Sequence, residues 1–137
     1  MARSRRKGDA AQRHSECIRR ILMEARPAGL DFGQLMATCE LTRAQARDGL
    51  AMLRDTITKN GWLPLIYSRQ DGLYMFTVDP DELERFEVSR IRELLTEAHR
   101  LANATIAPHA AHAPDDKRVQ YGITQIKAVE ATLDLIA

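Results

Sequence analysis

The sequence predicts a mainly α chain with one β-hairpin, an α+β fold in which three helices lead into the hairpin and two long helices follow it. Three observations predict it. Apolar residues recur at spacings of three and four before Asn60 and again after Pro80, the period of a helix with one buried face. Between these stretches the pattern becomes short, aromatic and β-branched around an Asp-Gly pair, which is a hairpin signal. Capping residues stand ahead of the helical stretches.

Taken in order, residues 1–8 are polar and basic with no hydrophobic period, and they read as a flexible basic arm carrying Arg3, Arg5, Arg6 and Lys7. Asp9, with Gln12 three positions on, is placed to cap a first helix whose apolar face is Ile18, Ile21, Leu22 and Ala25; Pro27 and Gly29 end it. Asp31 and Gln34 frame a second, short helix containing Phe32, Leu35 and Met36, ending near Cys39 and Glu40. Thr42-Arg43-Ala44-Gln45 is a capping box for a third helix. Its stripe is Ala46, Leu50, Leu53 and Ile57, and Asn60-Gly61 closes it. Gly49 interrupts this helix at a cost of up to ~1 kcal/mol relative to alanine, which predicts a close approach by a neighbour.

Residues 62–67 and 73–78 then form the hairpin, and Pro64, which cannot donate to a ladder, makes the first strand an edge or has it begin after the proline. Asp79-Pro80 opens a helix over about residues 80–105, with Leu83, Phe86, Ile91, Leu94, Ala98, Leu101 and Thr105 on one face. Residues 107–116, rich in Pro, Ala and His, break the pattern. A last helix over about 117–136 places Val119, Ile126, Val129, Leu133 and Ile136 at near-heptad spacing, with Gly122 in the remaining seam position.

With 45% hydrophobic and 28% charged residues in 137 positions, the chain has the composition and length of a domain with its own core. No apolar run approaches the ~18 residues of a membrane span, and no apolar stretch follows the basic start as a secretory signal requires. Cys17 and Cys39 stand apart, which matches neither a disulfide framework nor a zinc ribbon. These features predict a cytoplasmic protein with no membrane partner. The net charge of +1 divides unevenly: residues 1–69 hold 13 Lys and Arg against 7 Asp and Glu, and residues 70–137 hold 7 against 12. A basic front suggests a polyanion as partner, and an acidic rear suggests a second task. Arginine outnumbers lysine 16 to 4, the bias of coding in a GC-rich bacterial genome or in its phages and plasmids.

The order helix–helix–helix–hairpin over residues 9–78 resembles a winged helix-turn-helix DNA-binding domain. The run LTRAQARDGLAMLRDTITKNGWLPLIYSRQDGLYMF carries most of the likeness: a capped recognition helix, paired leucines, a glycine with an apolar neighbour, and a wing closing on Gly-Leu-Tyr. Residues 79–137 resemble the dimerisation helices of PadR-like and MarR-like bacterial regulators. The resemblance implies a homodimer that is a transcriptional regulator of bacterial, phage or plasmid origin. Its third helix would enter the major groove of double-stranded DNA, and the protein would be nucleoid-associated when bound.

The residue chemistry agrees. At ~100° per residue with Arg43 as origin, Arg54 and Arg47 fall at ~20° and ~40°, beside a buried stripe centred near ~310°. Ala44 and Ala51, near ~100° and ~80°, leave the adjoining surface low. Arginine can donate two parallel hydrogen bonds to guanine, and equally can hold phosphate. Gln45 flanks the other side, where capping competes with base reading. Arg69 and Gln70 stand at the hairpin tip, where wings meet the DNA backbone, and the basic arm can follow that backbone or enter a minor groove. Asp48 and Asp55 weaken the case locally, because carboxylates repel phosphates or pair with the arginines. Phe86, Ile91, Leu94, Leu101, Val119, Ile126, Val129, Leu133 and Ile136 are the candidate dimerisation residues.

Other readings stay open. Trp62, Tyr67 and Tyr74 could stack on bases, although aromatics in a hairpin more often pack a small core. His109 and His112 with Asp115 or Asp116 have metal-ligand types but lack a third His or Cys at regular spacing; no metal or cofactor is expected. No nucleophile–base arrangement or phosphate-binding glycine loop points to an enzyme. The rival function is a winged-helix protein–protein adaptor, or a replication or segregation accessory factor, that binds a partner through the acidic C-terminal helices.

Overall fold

The computed structural model describes residues 2–137, with side chains from Gly8 onward. The side chains of Arg3, Arg5, Arg6 and Lys7, named above as a DNA-contacting arm, lie outside the described residues. The fold is mainly helical with one two-stranded antiparallel hairpin, and it divides into two compact units, residues 1–83 and 84–137.

In the first unit, α1 (Ala2–Glu24), α2 (Phe32–Cys39) and α3 (Arg43–Asn60) precede β1 (Leu65–Ser68) and β2 (Leu73–Phe76). Helix α1 runs through Asp9, so the expected cap there is an interior helical residue. The local sequence allows this, because Ala and Arg favour helix and nothing before Asp9 forbids it. The next two helix starts are as the sequence predicts. Asp31 accepts from the Gln34 amide at 2.7 Å while Gln34 Oε1 accepts from the Asp31 amide at 2.8 Å. Thr42 and Gln45 make the same reciprocal pair at 3.2 and 2.9 Å. Each box satisfies backbone donors that a bare helix start leaves open.

The core is formed by Ile18, Ile21 and Leu22 of α1, Leu35 of α2, Leu50 and Leu53 of α3, and Phe76 of β2. Gly49 is buried where α3 crosses α1. A Cβ there would lie 2.9 Å from Ile18 Cδ1, 3.0 Å from His14 Cβ and 3.1 Å from the His14 carbonyl carbon. The Ile18 methyl can swing away, but the His14 atoms belong to the α1 backbone and its first side-chain carbon. Gly49→Ala is therefore expected to lose stability by about 1–3 kcal/mol despite alanine's better helix propensity. Urea unfolding followed by circular dichroism checks this, and a stabilised variant would show that the helices separate without cost.

The strands pair Leu65 with Phe76, Ile66 with Met75, Tyr67 with Tyr74 and Ser68 with Leu73. The segment between α1 and α2 adds a third rung: Leu30 donates to the Tyr74 carbonyl at 2.9 Å and accepts from the Tyr74 amide at 2.8 Å. Strand β2 thus lies between β1 and Leu30, which fixes the hairpin beside the helical core.

The second unit contains most of α4 (Pro80–Leu101), a π-helical turn (Ala102–Ile106), α5 (Ala107–His112) and α6 (Lys117–Ile136). Asp79 caps α4, its Oδ1 accepting from the Asp81 amide at 2.9 Å. The stretch 107–116 is not the continuous break that its composition suggests, since α5 occupies its first half. Pro108 lies in the first turn of α5, where a missing amide leaves no bond unmade. The preceding π turn, closed by the Ala107 amide on the Ala102 carbonyl, widens the backbone ahead of the proline ring. Asp116 caps α6 at 3.0 Å on the Arg118 amide. Gln120 ties α6 to α5 by donating to the Ala110 carbonyl at 2.9 Å. Among the described residues, no helix is long and apolar enough to cross a membrane.

Candidate nucleic-acid interface

The candidate surface is built on α3, because its capping box, its core stripe and its glycine crossing fix which face it turns outward. Ala46, Gly49, Leu50 and Leu53 are buried, while Arg43, Ala44, Gln45, Arg47, Asp48, Ala51, Arg54 and Asp55 are all exposed. The buried and open faces fall where the helical period assigns them. Among the described residues, Arg43 and Arg47 have no hydrogen-bond or ion-pair partner, so Asp48 and Asp55 do not neutralise them. Two guanidinium groups with open donors therefore border the low surface of Ala44 and Ala51.

Two of the sequence candidates have structural tasks. Gln45 Oε1 is held by the Thr42 amide, which leaves only its NH2 group to reach outward. The Arg54 guanidinium lies 5.7 Å from the centre of the Tyr74 ring, and Tyr74 meets Tyr67 across the strands at 4.6 Å with a 43° tilt. This stack joins α3 to the hairpin and gives Arg54 a fixed place through cation–π attraction. Tyr74 and Trp62 both pack against the core, and Arg19 lies 4.7 Å from the centre of the Trp62 ring. These aromatics pack the fold and do not form an open stacking platform.

The same Arg19 donates from Nε to Glu16 at 3.0 Å and makes a second bond to it from Nη2. That hydrogen bonding, above all, holds the Glu16 carboxyl below the usual carboxylate range. Both groups lie on α1.

At the hairpin turn, Arg69 and Gln70 are exposed. The turn is held by the Gly72 amide on the Ser68 carbonyl at 2.7 Å and by the Ser68 hydroxyl on Asp71 Oδ2 at 3.3 Å. His109 and His112 are both exposed on α5, and among the described residues no three His, Cys, Asp or Glu side chains cluster as metal ligands would.

The second unit leaves much apolar surface open. Ala98, Ala102 and Val119 are its buried apolar residues. Val119, counted above with the dimerisation seam, is thus covered by its own chain. Phe86, Ile91, Ile126 and Leu133 are half-buried. Leu94, Leu101, Val129 and Ile136 remain 39–55% exposed. His99 Nδ1 meets Glu130 Oε2 at 3.3 Å, joining α4 to α6. No family model, curated protein or solved structure matches the chain.

Proposed function

We propose that the chain is a sequence-specific double-stranded DNA-binding protein of the winged helix-turn-helix kind, acting as a homodimeric transcriptional regulator. The observation that carries this reading is the outer face of α3, where the unpartnered Arg43 and Arg47 border the low Ala44–Ala51 surface. A helix of this width fits the major groove, and such arginines can donate to guanine O6 and N7. The Leu30 rung supports the reading by fixing the hairpin as a rigid flank to α3. Arg69 and Gln70 at its tip contact the adjoining backbone in this arrangement. Selection from a random-sequence duplex library tests the proposal: enrichment of a two-fold symmetric motif supports it, and recovery of no motif contradicts it. Arg69→Ala is expected to lower affinity and flatten the salt dependence by about one charge without changing the motif.

The homodimer reading rests on α6. Gly122, Ile126, Val129, Leu133 and Ile136 share one face of this helix, and two of them are among the most exposed apolar side chains of the unit. Gly122 has no atom within 4 Å of where a Cβ would stand, so nothing in its own chain requires a glycine there. An antiparallel mate gives it a reason: setting Ile126 against the mate's Val129 also sets Gly122 against its Leu133, a large side chain over a small one. Gly122→Leu is expected to shift the protein toward monomer while making α6 more helical. Sedimentation velocity at several concentrations checks this, and an unchanged dimer would place the interface elsewhere. Tyr121 and Leu135, 68% and 90% exposed away from that face, favour a second reading in which α6 docks a different protein.

A further inference from the structure

The DNA reading of α3 leaves Asp48 without a task. Asp48 is exposed and, among the described residues, has no hydrogen-bond or ion-pair partner, so it does not neutralise Arg43 or Arg47. Nor does it cap the helix, whose start is held by Thr42 and Gln45. Its place on the helix is definite. With Arg43 as origin, Arg54 and Arg47 fall at ~20° and ~40°, Ala51 and Ala44 at ~80° and ~100°, and Asp48 at ~140°. The Arg54 guanidinium lies 5.7 Å from the centre of the Tyr74 ring, so the arginine flank is the one beside the hairpin. Ala44 and Ala51 form the low middle of the face, and Asp48 borders it on the flank away from the hairpin. Gly49, the next residue, leaves no room for a methyl group against α1, which fixes the roll of α3 at this level. Arg47 and Asp48 stand ~100° apart around the axis and only ~1.5 Å apart along it. They therefore face opposite sides of a groove at almost the same height.

On the reading that α3 enters the major groove, on which this role depends, we infer that Asp48 is a specificity-determining residue. It accepts a hydrogen bond from the N4 amino group of a cytosine, on the strand across the groove from the guanine that Arg47 reads. A carboxylate can only accept. In the major groove, guanine offers it the acceptors N7 and O6, and thymine offers an acceptor and a methyl group. Adenine N6 donates, but the N7 acceptor beside it repels a carboxylate. Cytosine presents its amino group with no acceptor on that edge. The aspartate side chain is short, so its oxygens stay near the level of the alanines and away from phosphates at the groove rims. Arg47 as donor and Asp48 as acceptor together complement the N7, O6 and N4 groups of G·C pairs. Guanine or thymine in place of the cytosine leaves the carboxylate unpaired, so Asp48 acts chiefly by rejecting wrong sites.

The test runs the random-duplex selection in parallel with wild-type protein and Asp48→Ala. The variant should fold, because the position is an exposed one inside a helix and alanine favours helix; equal circular dichroism and melting temperature check this. Both proteins are expected to select a motif, and the variant's motif should lose one cytosine preference in each half-site. The selected duplex is then remade with 2-pyrimidinone, which lacks the amino group, in place of that cytosine. Wild type is expected to bind this duplex about ten-fold more weakly in anisotropy titrations, and Asp48→Ala to bind it and the parent duplex nearly alike. Identical motifs for the two proteins would overturn the role of Asp48 and leave the DNA reading standing. So would a variant that binds every duplex more tightly without relaxing any position, which would make Asp48 a group that only repels phosphate. A preference lost at adenine instead would contradict the assignment to cytosine. No motif with either protein would overturn the DNA reading itself, and this role with it.

Discussion

Gly29→Ala is expected to destabilise the first unit by about 3 kcal/mol or more, the largest loss we expect from adding one methyl group to this chain. Gly29 has φ +81°, a conformation that L side chains adopt at a cost of about 1–2 kcal/mol. A Cβ would also stand 2.5 Å from the Tyr74 carbonyl oxygen and 3.0 Å from Met75 Cβ. The carbonyl is backbone within a paired strand and cannot swing aside. Relief requires residues 29 and 30 to withdraw from β2, which breaks both Leu30–Tyr74 hydrogen bonds, each contributing about 1 kcal/mol net. Gly61 supplies the control: its φ is +65°, but a Cβ there meets nothing within 4 Å. Gly61→Ala should therefore show the conformational cost alone. Urea unfolding of both variants separates the two terms, and equal losses would mean that the Gly29 segment moves freely.

The second large effect falls on binding. Replacing Arg47 with alanine is expected to weaken binding to the selected duplex about ten- to a hundred-fold if it reads a base, relaxing preference at one position in each half-site. Arg43→Ala should act similarly. The two residues share one flank a single turn apart, so the double variant need not lose the product of the single losses. Neither change should alter the melting temperature, because both side chains are exposed and unpartnered among the described residues. Anisotropy titrations of matched and scrambled duplexes distinguish the roles. Loss confined to the matched duplex marks base reading, equal loss on both marks phosphate contact, and unchanged binding to either removes the residue from the interface.

What the sequence made legible was local. The boxes Asp31–Gln34 and Thr42–Gln45 and the Asp-Gly turn each act within a few residues, so their chemistry can be read directly. The Leu30 rung was not legible. It is a single extended residue between Gly29 and Asp31, and its partner Tyr74 is far along the chain, so no periodicity announces it. Asp9 misled because a good capping residue also sits acceptably inside a helix when the preceding chain continues it. Pro108 misled because a π turn and a first-turn position absorb a proline that composition alone reads as a break. On the candidate surface, the exposure of Arg43 and Arg47 followed from helical phase. The Arg54–Tyr74 contact did not, since it depends on where the hairpin lies. Val119 and Val129 have the same heptad standing, yet only Val119 is buried, because α6 packs on its own unit at one end.

The most direct test of the central claim is the salt dependence of duplex affinity, measured by anisotropy with the selected duplex between about 50 and 200 mM salt. Each phosphate neutralised by arginine or lysine releases counterions and contributes about −0.9 to the slope of log K against log salt. If α3, the hairpin tip and the basic arm face DNA, the slope is expected to be several units negative, with the selected duplex bound more tightly than a scrambled one throughout. Affinity that is undetectable, or that does not change with salt, would contradict DNA binding by this surface.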